Sequence, residues 1–328
     1  MRRFSILFLA VLQLFVCCTA LAAQPAPVYP DRAWRQDAQT GGAGVLPSLY
    51  RTMLDAFPEK AEEPLPSREG MDTLSISGSG EFSANQFETM VGDIRSKTDA
   101  VICDFDLRQE THGFVNGEAV SLYAEGNAGN AGLGTAEVLA LEKRQLGELL
   151  DTELTVEVHR SGGPKEPGKK EKPGNGPDPA RSASRKVTMT VAEVMTEAEL
   201  CASQGVRYVR IACTDHLCPT DEEVDEFLAA YQSLPEGAWL HFHCAAGVGR
   251  TGLFMMMTDM LRNPQVSLED VIHRQVLLGA QNPESSKGPD GKDNIQKLDL
   301  LRRFHAYVAA CAAEGYRVTF SEWCSENP

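Results

Sequence analysis

Residues Trp239 to Gly252 read Trp-Leu-His-Phe-His-Cys-Ala-Ala-Gly-Val-Gly-Arg-Thr-Gly and run directly into the apolar stretch Leu253 to Leu261. This stretch leaves the chain little choice of local structure. Trp239, Leu240 and Phe242, bounded by Gly237, read as a short strand, and Arg250 to Leu261, halted before Pro264, read as a buried helix. Cys244 therefore stands where a strand becomes a helix. Five residues between Cys244 and Arg250 suffice to wrap a loop around one anion, because successive backbone N–H groups converge on it and the helix N-terminus adds partial positive charge. Gly247 and Gly249 allow positive φ where a side chain would clash.

A thiol in such a cradle acquires chemistry. Free cysteine has a pKa of about 8.5, so at pH 5.5 only about one thiol in a thousand is thiolate, and a three-unit depression requires roughly 4 kcal/mol of preferential anion stabilisation. The helix N-terminus and Arg250 are placed to supply it. The Arg250 fork matches two equatorial phosphate oxygens in a way that a lysine does not, and Thr251 can hydrogen-bond the sulfur as it leaves.

His243-Cys244, five residues, then Arg250-Thr251 resembles the signature of the cysteine-dependent phosphatases. More narrowly, Trp239 to Cys244 with Ala246 to Thr251, together with Thr214-Asp215-His216 and Asp106-Leu107-Arg108-Gln109-Glu110-Thr111-His112-Gly113, is similar to the bacterial protein-tyrosine-phosphatase-like phytases, over roughly residues 71 to 320. The resemblance implies an α/β fold, a central sheet flanked by helices, with a small inserted partial β-barrel. It implies hydrolysis of myo-inositol polyphosphates such as phytate through a phosphocysteine on Cys244. Asp215 would be the general acid, Arg250 and Thr251 would serve phosphate and sulfur, and His216 would position the loop or the leaving group. The backbone of Ala245, Ala246, Gly247, Val248 and Gly249 would cradle the phosphate. Leu49-Tyr50-Arg51-Thr52 resembles a family segment whose arginine reaches the substrate. The sequence departs from the family pattern at Ala245, where an acidic residue is usual, and at Gly252, where threonine is usual; both bear on substrate preference and not on the reaction.

Rival readings are a secreted tyrosine phosphatase with the same chemistry, a catalytically silent phospho-ligand module, and a sulfurtransferase. Cys244, Arg250 and Asp215 together argue against the second. A sulfurtransferase needs neither an Asp215 donor nor the Arg250-Thr251 pair. No metal-ligand spacing is visible, and the mechanism needs neither metal nor cofactor.

Met1-Arg2-Arg3, the apolar run Phe4 to Val16 and the small residues Ala20-Leu21-Ala22 read as a secretory leader over residues 1–22, and hence a secreted or periplasmic protein with no membrane association once the leader is removed. Its removal would leave seven of the nine cysteines, an odd number that fits one thiol kept free, Cys244. Cys213 and Cys218 flank Asp215, and two free thiols are the plainer reading of them. With 46 acidic against 31 basic residues and a net charge of −15, the chain is a poor partner for nucleic acid, and any phosphate site must be basic locally.

About 300 residues suit one large catalytic domain with an elaboration. We read an N-terminal arm over 23–70, rich in Pro, Gly and Ala, and a catalytic domain over 71–328 interrupted by a module at 114–188. Strands are expected at Leu74 to Ser77, Ala100 to Leu107, Thr152 to His159, Arg185 to Thr190 and Val206 to Ala212. Helices are expected at Ala84 to Ser96, Val138 to Leu150, after the capping boxes Thr196/Glu199 and Thr220/Glu223, from Ser267 to about Leu278, and from Asp293 to Ala313. The strand ending at Leu107 empties into the polar cluster from Arg108 to Gly113, and strand carboxyl ends line pockets in α/β sheets. Asp106, Arg108 and His112 are thus expected at the substrate. Family resemblance suggests that lysines of the module's loop, among Lys165, Lys169 and Lys170, hang over the site. A highly anionic substrate needs a rim of cations beyond the Cys244 loop, for which Arg51, Arg108, Lys169, Lys287 and Lys292 are the candidates, Arg108 having the best position at a strand end.

Overall fold

The computed structural model describes residues 32–38, 44–158, 185–285 and 291–327, with side chains from Asp293 onward in the last segment. The expected leader and Lys165, Lys169, Lys170 and Lys287 lie outside the described residues, as does the side chain of Lys292.

The stretch read as an arm supplies two strands, β1 (Ala33–Ala38) and the two-residue β2 (Arg51–Thr52). Then come β3 (Ile76–Ser79) and α1 (Ala84–Arg95), whose start is fixed by a capping box between Ser83 and Gln86. β4 (Ile102–Asp106) leads into β5 (His112–Val115) and β6 (Glu118–Tyr123). Asn116 and Gly117 join the last two, both at positive φ, the conformation a two-residue hairpin of type I′ requires. α2 (Thr135–Gly147), β7 (Glu153–Val158), β8 (Arg185–Thr190) and β9 (Val194–Met195) follow. The chain returns through α3 (Glu197–Ser203), β10 (Arg207–Arg210), α4 (Asp221–Gln232), β11 (Trp239–His243) and α5 (Gly249–Arg262). It ends with α6 (Leu268–Leu277), α7 (Gly291–Cys311) and α8 (Phe320–Glu326).

Two sheets result. The first has the order β10-β4-β11-β3-β2, parallel throughout except for the antiparallel edge β2. The second, β8-β7-β1-β6-β5-β9, is antiparallel apart from the β1/β7 pair, and is the partial barrel. It draws on both sides of the span 114–188, with β1 in its middle, so the apolar side chains of the N-terminal segment are used in the sheet.

Because strand side chains alternate, β4 and β11 present two unlike faces. Cys103, Phe105, Leu240 and Phe242 face an apolar core shared with Phe227 of α4, Phe254 and Met256 of α5, Val271 of α6 and Phe304 of α7. Asp104, Asp106, His241 and His243 point the other way, with His241 opposite Asp104 and His243 opposite Asp106. All four are fully buried, because α3 and the second sheet close over them. α5 is buried at every position from Arg250 to Leu261, which is why its sequence shows no polar stripe. At that depth each large apolar side chain contributes about 1.5–3 kcal/mol through burial.

Candidate active site

Cys244 follows β11 and the loop to Gly249 opens α5, so the anion cradle sits at the carboxyl end of the central strands. The loop is clamped from below. Glu81 donates its N–H to the Ala245 carbonyl at 3.2 Å, and Gln281 donates to the Val248 carbonyl at 3.1 Å. Gly247 has φ 78°, and a Cβ there would lie 2.4 Å from the Gly80 nitrogen; only glycine fits. A Cβ at Gly252 would meet the Cβ of Ala280 at 2.6 Å, so the departure from threonine at this position is matched by a close approach of the chain before residue 281. Ala246 is exposed while Cys244 is buried, which leaves the loop open to solvent over a sulfur seated at its base.

The Cys244 sulfur accepts the Gly247 N–H at 3.3 Å and the Thr251 hydroxyl at 3.2 Å. Burial alone would push this thiol up, but the charge of Arg250 and those two hydrogen bonds outweigh it, and the thiol is held below its ordinary range. Arg250 is itself fixed by Glu110, which accepts from Nη1 at 3.0 Å and from Nη2 at 3.1 Å. The carbonyls of Leu107 and Cys213 accept from Nη1 as well. Burial favours a neutral Glu110, yet Arg250 and Arg108 hold its carboxyl far below the usual range.

Asp215 lies beside this floor. Its Oδ1 is 3.1 Å from Arg250 Nη2, and its Oδ2 accepts from Asn127 Nδ2 at 2.7 Å. Thr214 donates to Gln109 Oε1 at 2.6 Å, tying the same loop to the segment after β4. His216 has φ 65° and a side chain 60% exposed, 3.8 Å from Asp215. Cys213 is buried and Cys218 half-buried, and both are free thiols.

Arg51 is buried and donates to the Gly247 carbonyl at 2.8 Å. Its Nε and Nη2 have no hydrogen-bond partner among the described residues. Burial lowers its pKa to about 10, with the Cys244 charge acting the other way. Cys244, Arg250, Thr251, Asp215 and Arg51 are thus brought together as the sequence reading has them.

Asp106, Arg108 and His112 are not on the rim. They are 0–1% exposed and belong to an ionic layer between the two sheets. Arg108 pairs with Asp37 at 2.9 Å, Glu81 at 2.5 Å and Glu110 at 2.8 Å. Arg210 pairs with Asp106 and, at 3.3 Å, with Glu142. His112 and His243 share Glu197, at 3.2 and 2.7 Å. The correction has a physical reason: a guanidinium already holding three carboxylates offers nothing to a substrate phosphate, and the second sheet, whose cover no local pattern reveals, removes all three side chains from solvent. Arg108 acts on the site through its partners, Glu110 under Arg250 and Glu81 beside the Cys244 loop.

The layer extends to the nucleophile's neighbour. Burial would lower the His243 pKa, but Glu197 and Asp104 raise it to about 10, which leaves an imidazolium next to Cys244. His241 is instead pushed well down by burial and by His243, and its two nitrogens bond the hydroxyls of Ser77 and Ser79 at 2.9 and 3.1 Å. Among the described residues, three triads, Glu81/Glu197/His243, Asp104/Glu197/Cys201 and Asp106/His112/Glu197, gather atoms able to ligate a metal within 4.8 Å. Linear spacing does not reveal them. Of their carboxyl groups, Asp106 pairs with Arg210, Glu81 with Arg108 and Glu197 with His243, while burial pushes Asp104 well above the usual carboxylate range.

Sequence reasoning also missed Lys297. It sits on α7, is 6% exposed, and lines with Gly249, Gln281 and Asn294 a small cavity against the cradle. A lysine three and four residues before Leu300 and Leu301, on the apolar side of the expected helix, was the available signal. The hold of Glu110 on Arg250, 140 residues away, is likewise not visible in the linear sequence.

The sequence profile of the PTP-like phytases, described as inositol hexakisphosphate, matches residues 105–262. The PTP-like myo-inositol phosphatase from Mitsuokella multacida, solved in complex with myo-inositol-(1,3,4,5)-tetrakisphosphate, superposes with a TM-score of 0.79 at 34% identity, over 92% of this chain and 50% of that one. A PTP-like phytase from Bdellovibrio bacteriovorus gives 0.65 at 27% identity, over 92% of this chain and 97% of that one. Among curated proteins, the effector protein hopD2 of Pseudomonas syringae pv. tomato is 30% identical over 227 residues, 66% of this chain and 45% of the effector. The chain thus spans about half the length of the effector and of the Mitsuokella chain. A shared fold, a profile that runs from the end of β4 to the end of α5, and a Cys244 cradle at the expected place agree: the chain is similar to the protein-tyrosine-phosphatase-like phytases, in sequence profile over residues 105–262 and in fold over 92% of its length.

Proposed function

We propose that this chain hydrolyses phosphate monoesters of myo-inositol polyphosphates through a phosphocysteine on Cys244. The observation that carries the reading is the cradle: a thiol held below its ordinary range by Arg250, Thr251 and the Gly247 N–H, beneath a loop open to solvent. The thiolate attacks phosphorus in line with the ester oxygen. Arg250, kept in orientation by Glu110, takes two equatorial oxygens as charge spreads over them. The departing inositol oxygen leaves with the proton of Asp215, which lies 3.1 Å from Arg250. Water then attacks the phosphocysteine, Asp215 takes the water's proton, and Thr251 donates to the sulfur as it leaves.

The inositol ring carries further phosphates, which need further cations. Two unpartnered N–H-bearing atoms of the buried Arg51 suit one such phosphate, since orphaned donors are costly until an acceptor arrives. Lys297 suits another. His216, Lys169, Lys287 and Lys292 belong to the same reading as the outer rim. The substrate class is further supported by the inositol tetrakisphosphate bound to the Mitsuokella relative. The leader read at residues 1–22 supports export, as does the likeness to a bacterial effector.

The deciding experiment measures phosphate release from inositol hexakisphosphate and from a phosphotyrosine peptide at matched concentration, with the inositol product isomers resolved. Preference for the inositol ester, with ordered isomers, supports the assignment. Preference for the peptide replaces it with a tyrosine phosphatase reading.

A further inference from the structure

We propose that Asn127, carried by the loop that follows β6, is a positioning residue for the proton donor Asp215. The proposal rests on the acid role assigned above.

Asp215 sits on the loop after β10, and a loop bearing a catalytic acid must hold one carboxyl oxygen at the leaving group. Among the described residues, four groups face that carboxyl. The His216 backbone N–H donates to Oδ1 at 3.0 Å, Arg250 Nη2 lies 3.1 Å from Oδ1, His216 Nε2 lies 3.8 Å from Oδ2, and Asn127 Nδ2 donates to Oδ2 at 2.7 Å. Arg250 is also the phosphate ligand, so its hold on Oδ1 is shared once a phosphate enters the cradle. The His216 side chain is largely exposed. The His216 N–H belongs to the same loop as Asp215 and moves with it, whereas Asn127 holds Oδ2 from a different loop, through an uncharged side chain that has no phosphate to serve.

Asn127 is placed by its own surroundings. It has φ 56°, a conformation asparagine adopts at lower cost than most residues, directly after Gly126 at φ 64°. Three residues on, the buried Asn130 donates to the Gln109 carbonyl and to Thr111 Oγ1, both at 3.0 Å, and Gln109 Nε2 donates to the Leu133 carbonyl at 3.0 Å. Gln109 Oε1 in turn accepts from Thr214, the neighbour of Asp215. The loop bearing Asn127 and the loop bearing Asp215 are therefore fastened to one anchor. Since β5 and β6 belong to the second sheet, the partial barrel reaches the proton donor through this contact.

The test compares Asn127→Gly, which removes the amide and keeps positive φ accessible, with Asn127→Asp, which keeps shape and φ but exchanges the donor for a second carboxyl. Each is assayed on inositol hexakisphosphate, whose leaving group needs a proton, and on p-nitrophenyl phosphate, whose leaving group does not. We expect Asn127→Gly to lower kcat on the inositol ester at least tenfold with KM unchanged, and to leave kcat on the aryl ester within twofold. Asn127→Asp should fall equally near neutral pH and recover at acidic pH, where one proton shared by the two carboxyls restores the hydrogen bond. Asp215→Asn serves as the reference. If it shows no difference between the two esters, the acid assignment itself fails. If it shows the difference while Asn127→Gly keeps the wild-type ratio of rates, or lowers both rates alike, or if the aspartate variant does not recover at acidic pH, the positioning role is overturned and the acid assignment stands.

Discussion

The floor of the site and its wall meet the same phosphate but are built in opposite ways. On the floor the charges are buried and linked in a chain, Cys244 with Arg250, Arg250 with Glu110, Glu110 with Arg108, and His243 with Glu197, while Arg51 keeps two donors open among the described residues. On the wall, His216 is largely exposed, Leu217 is 51% exposed, and Asp215 is held by its neighbour's N–H and by single side-chain contacts from Asn127 and Arg250. The difference teaches where each kind of work is done. Attack on phosphorus is the same for every ester, and preorganised charge in a dry site costs no reorganisation during reaction. Proton delivery and recognition depend on the leaving group, and they sit where side chains can change without unpairing a buried charge.

The largest effect should come from the floor. Cys244→Ser keeps size but offers a far weaker nucleophile, so turnover should fall by roughly 10⁴-fold or more on every ester while phosphate-ester binding persists. Activity within tenfold of the unaltered chain would remove the covalent mechanism. Asp215→Asn should divide the substrates instead. A loss of about 10²–10⁴-fold on the inositol ester, with under tenfold on an activated aryl phosphate, is the expected size for a missing general acid. Equal losses would move Asp215 from wall to floor and erase the distinction.

Glu110→Gln strikes the floor without touching the reacting atoms. It leaves Arg250 and Arg108 short of a buried partner, so stability should drop by about 3 kcal/mol and kcat/KM by about 10² through loss of Arg250 orientation. The pH dependence has a definite sign. Glu110 has its folded pKa depressed, so its contribution is complete above the unfolded value of about 4.3 and is lost as pH falls below it. His243 is the reverse: raised to about 10 in the fold, it contributes fully below about pH 6.5 and that contribution is lost as pH rises through 10. Thermal melts from pH 3 to 10.5 should therefore lose stability at both ends. Glu110→Gln should flatten the acid side and Glu197→Gln the alkaline side; melts unchanged in shape would show that the ionic layer is not coupled to folding.

What the sequence told about floor and wall follows from the same contrast. The strand, the Cys244 loop and α5 were legible because a buried helix with a glycine-rich start is written in contiguous residues. Capping boxes at Thr196 and Thr220 placed α3 and α4 to within a residue. The ionic layer was half-legible: Asp104 and Asp106 alternate with Cys103 and Phe105, so a polar face on β4 could be read, but nothing local says that the second sheet covers it. Arg108 was consequently assigned to the rim. The strand β1 was missed because Ala-Trp-Arg-Gln-Asp-Ala has weak alternation, and its partners β6 and β7 lie more than 80 residues away. Asn116-Gly117 was a turn signal that marks the β5/β6 hairpin and was available in the sequence.

The smallest effect sharpens the comparison most finely, because it concerns a cation that belongs to the wall by role and to the interior by burial. Lys297 is 6% exposed and lines the cavity beside Gly249. If its ammonium serves a second phosphate of the inositol ring, Lys297→Ala should raise KM for inositol hexakisphosphate by about threefold to tenfold, the scale of roughly 1 kcal/mol for a partly screened charge pair, and leave p-nitrophenyl phosphate hydrolysis unchanged. Such a contact is screened by salt, so KM for the polyphosphate should climb with ionic strength in the unaltered chain and climb less steeply in the variant. The buried setting provides the control: an ammonium that serves only packing would give Lys297→Met a wild-type KM with wild-type salt dependence, because the methionine retains an apolar stem of similar length. A raised KM in both variants with stability preserved in Lys297→Met would assign the charge to recognition. A normal KM in Lys297→Met would return Lys297 to the core of α7 and leave Arg51 to carry the recognition of the ring.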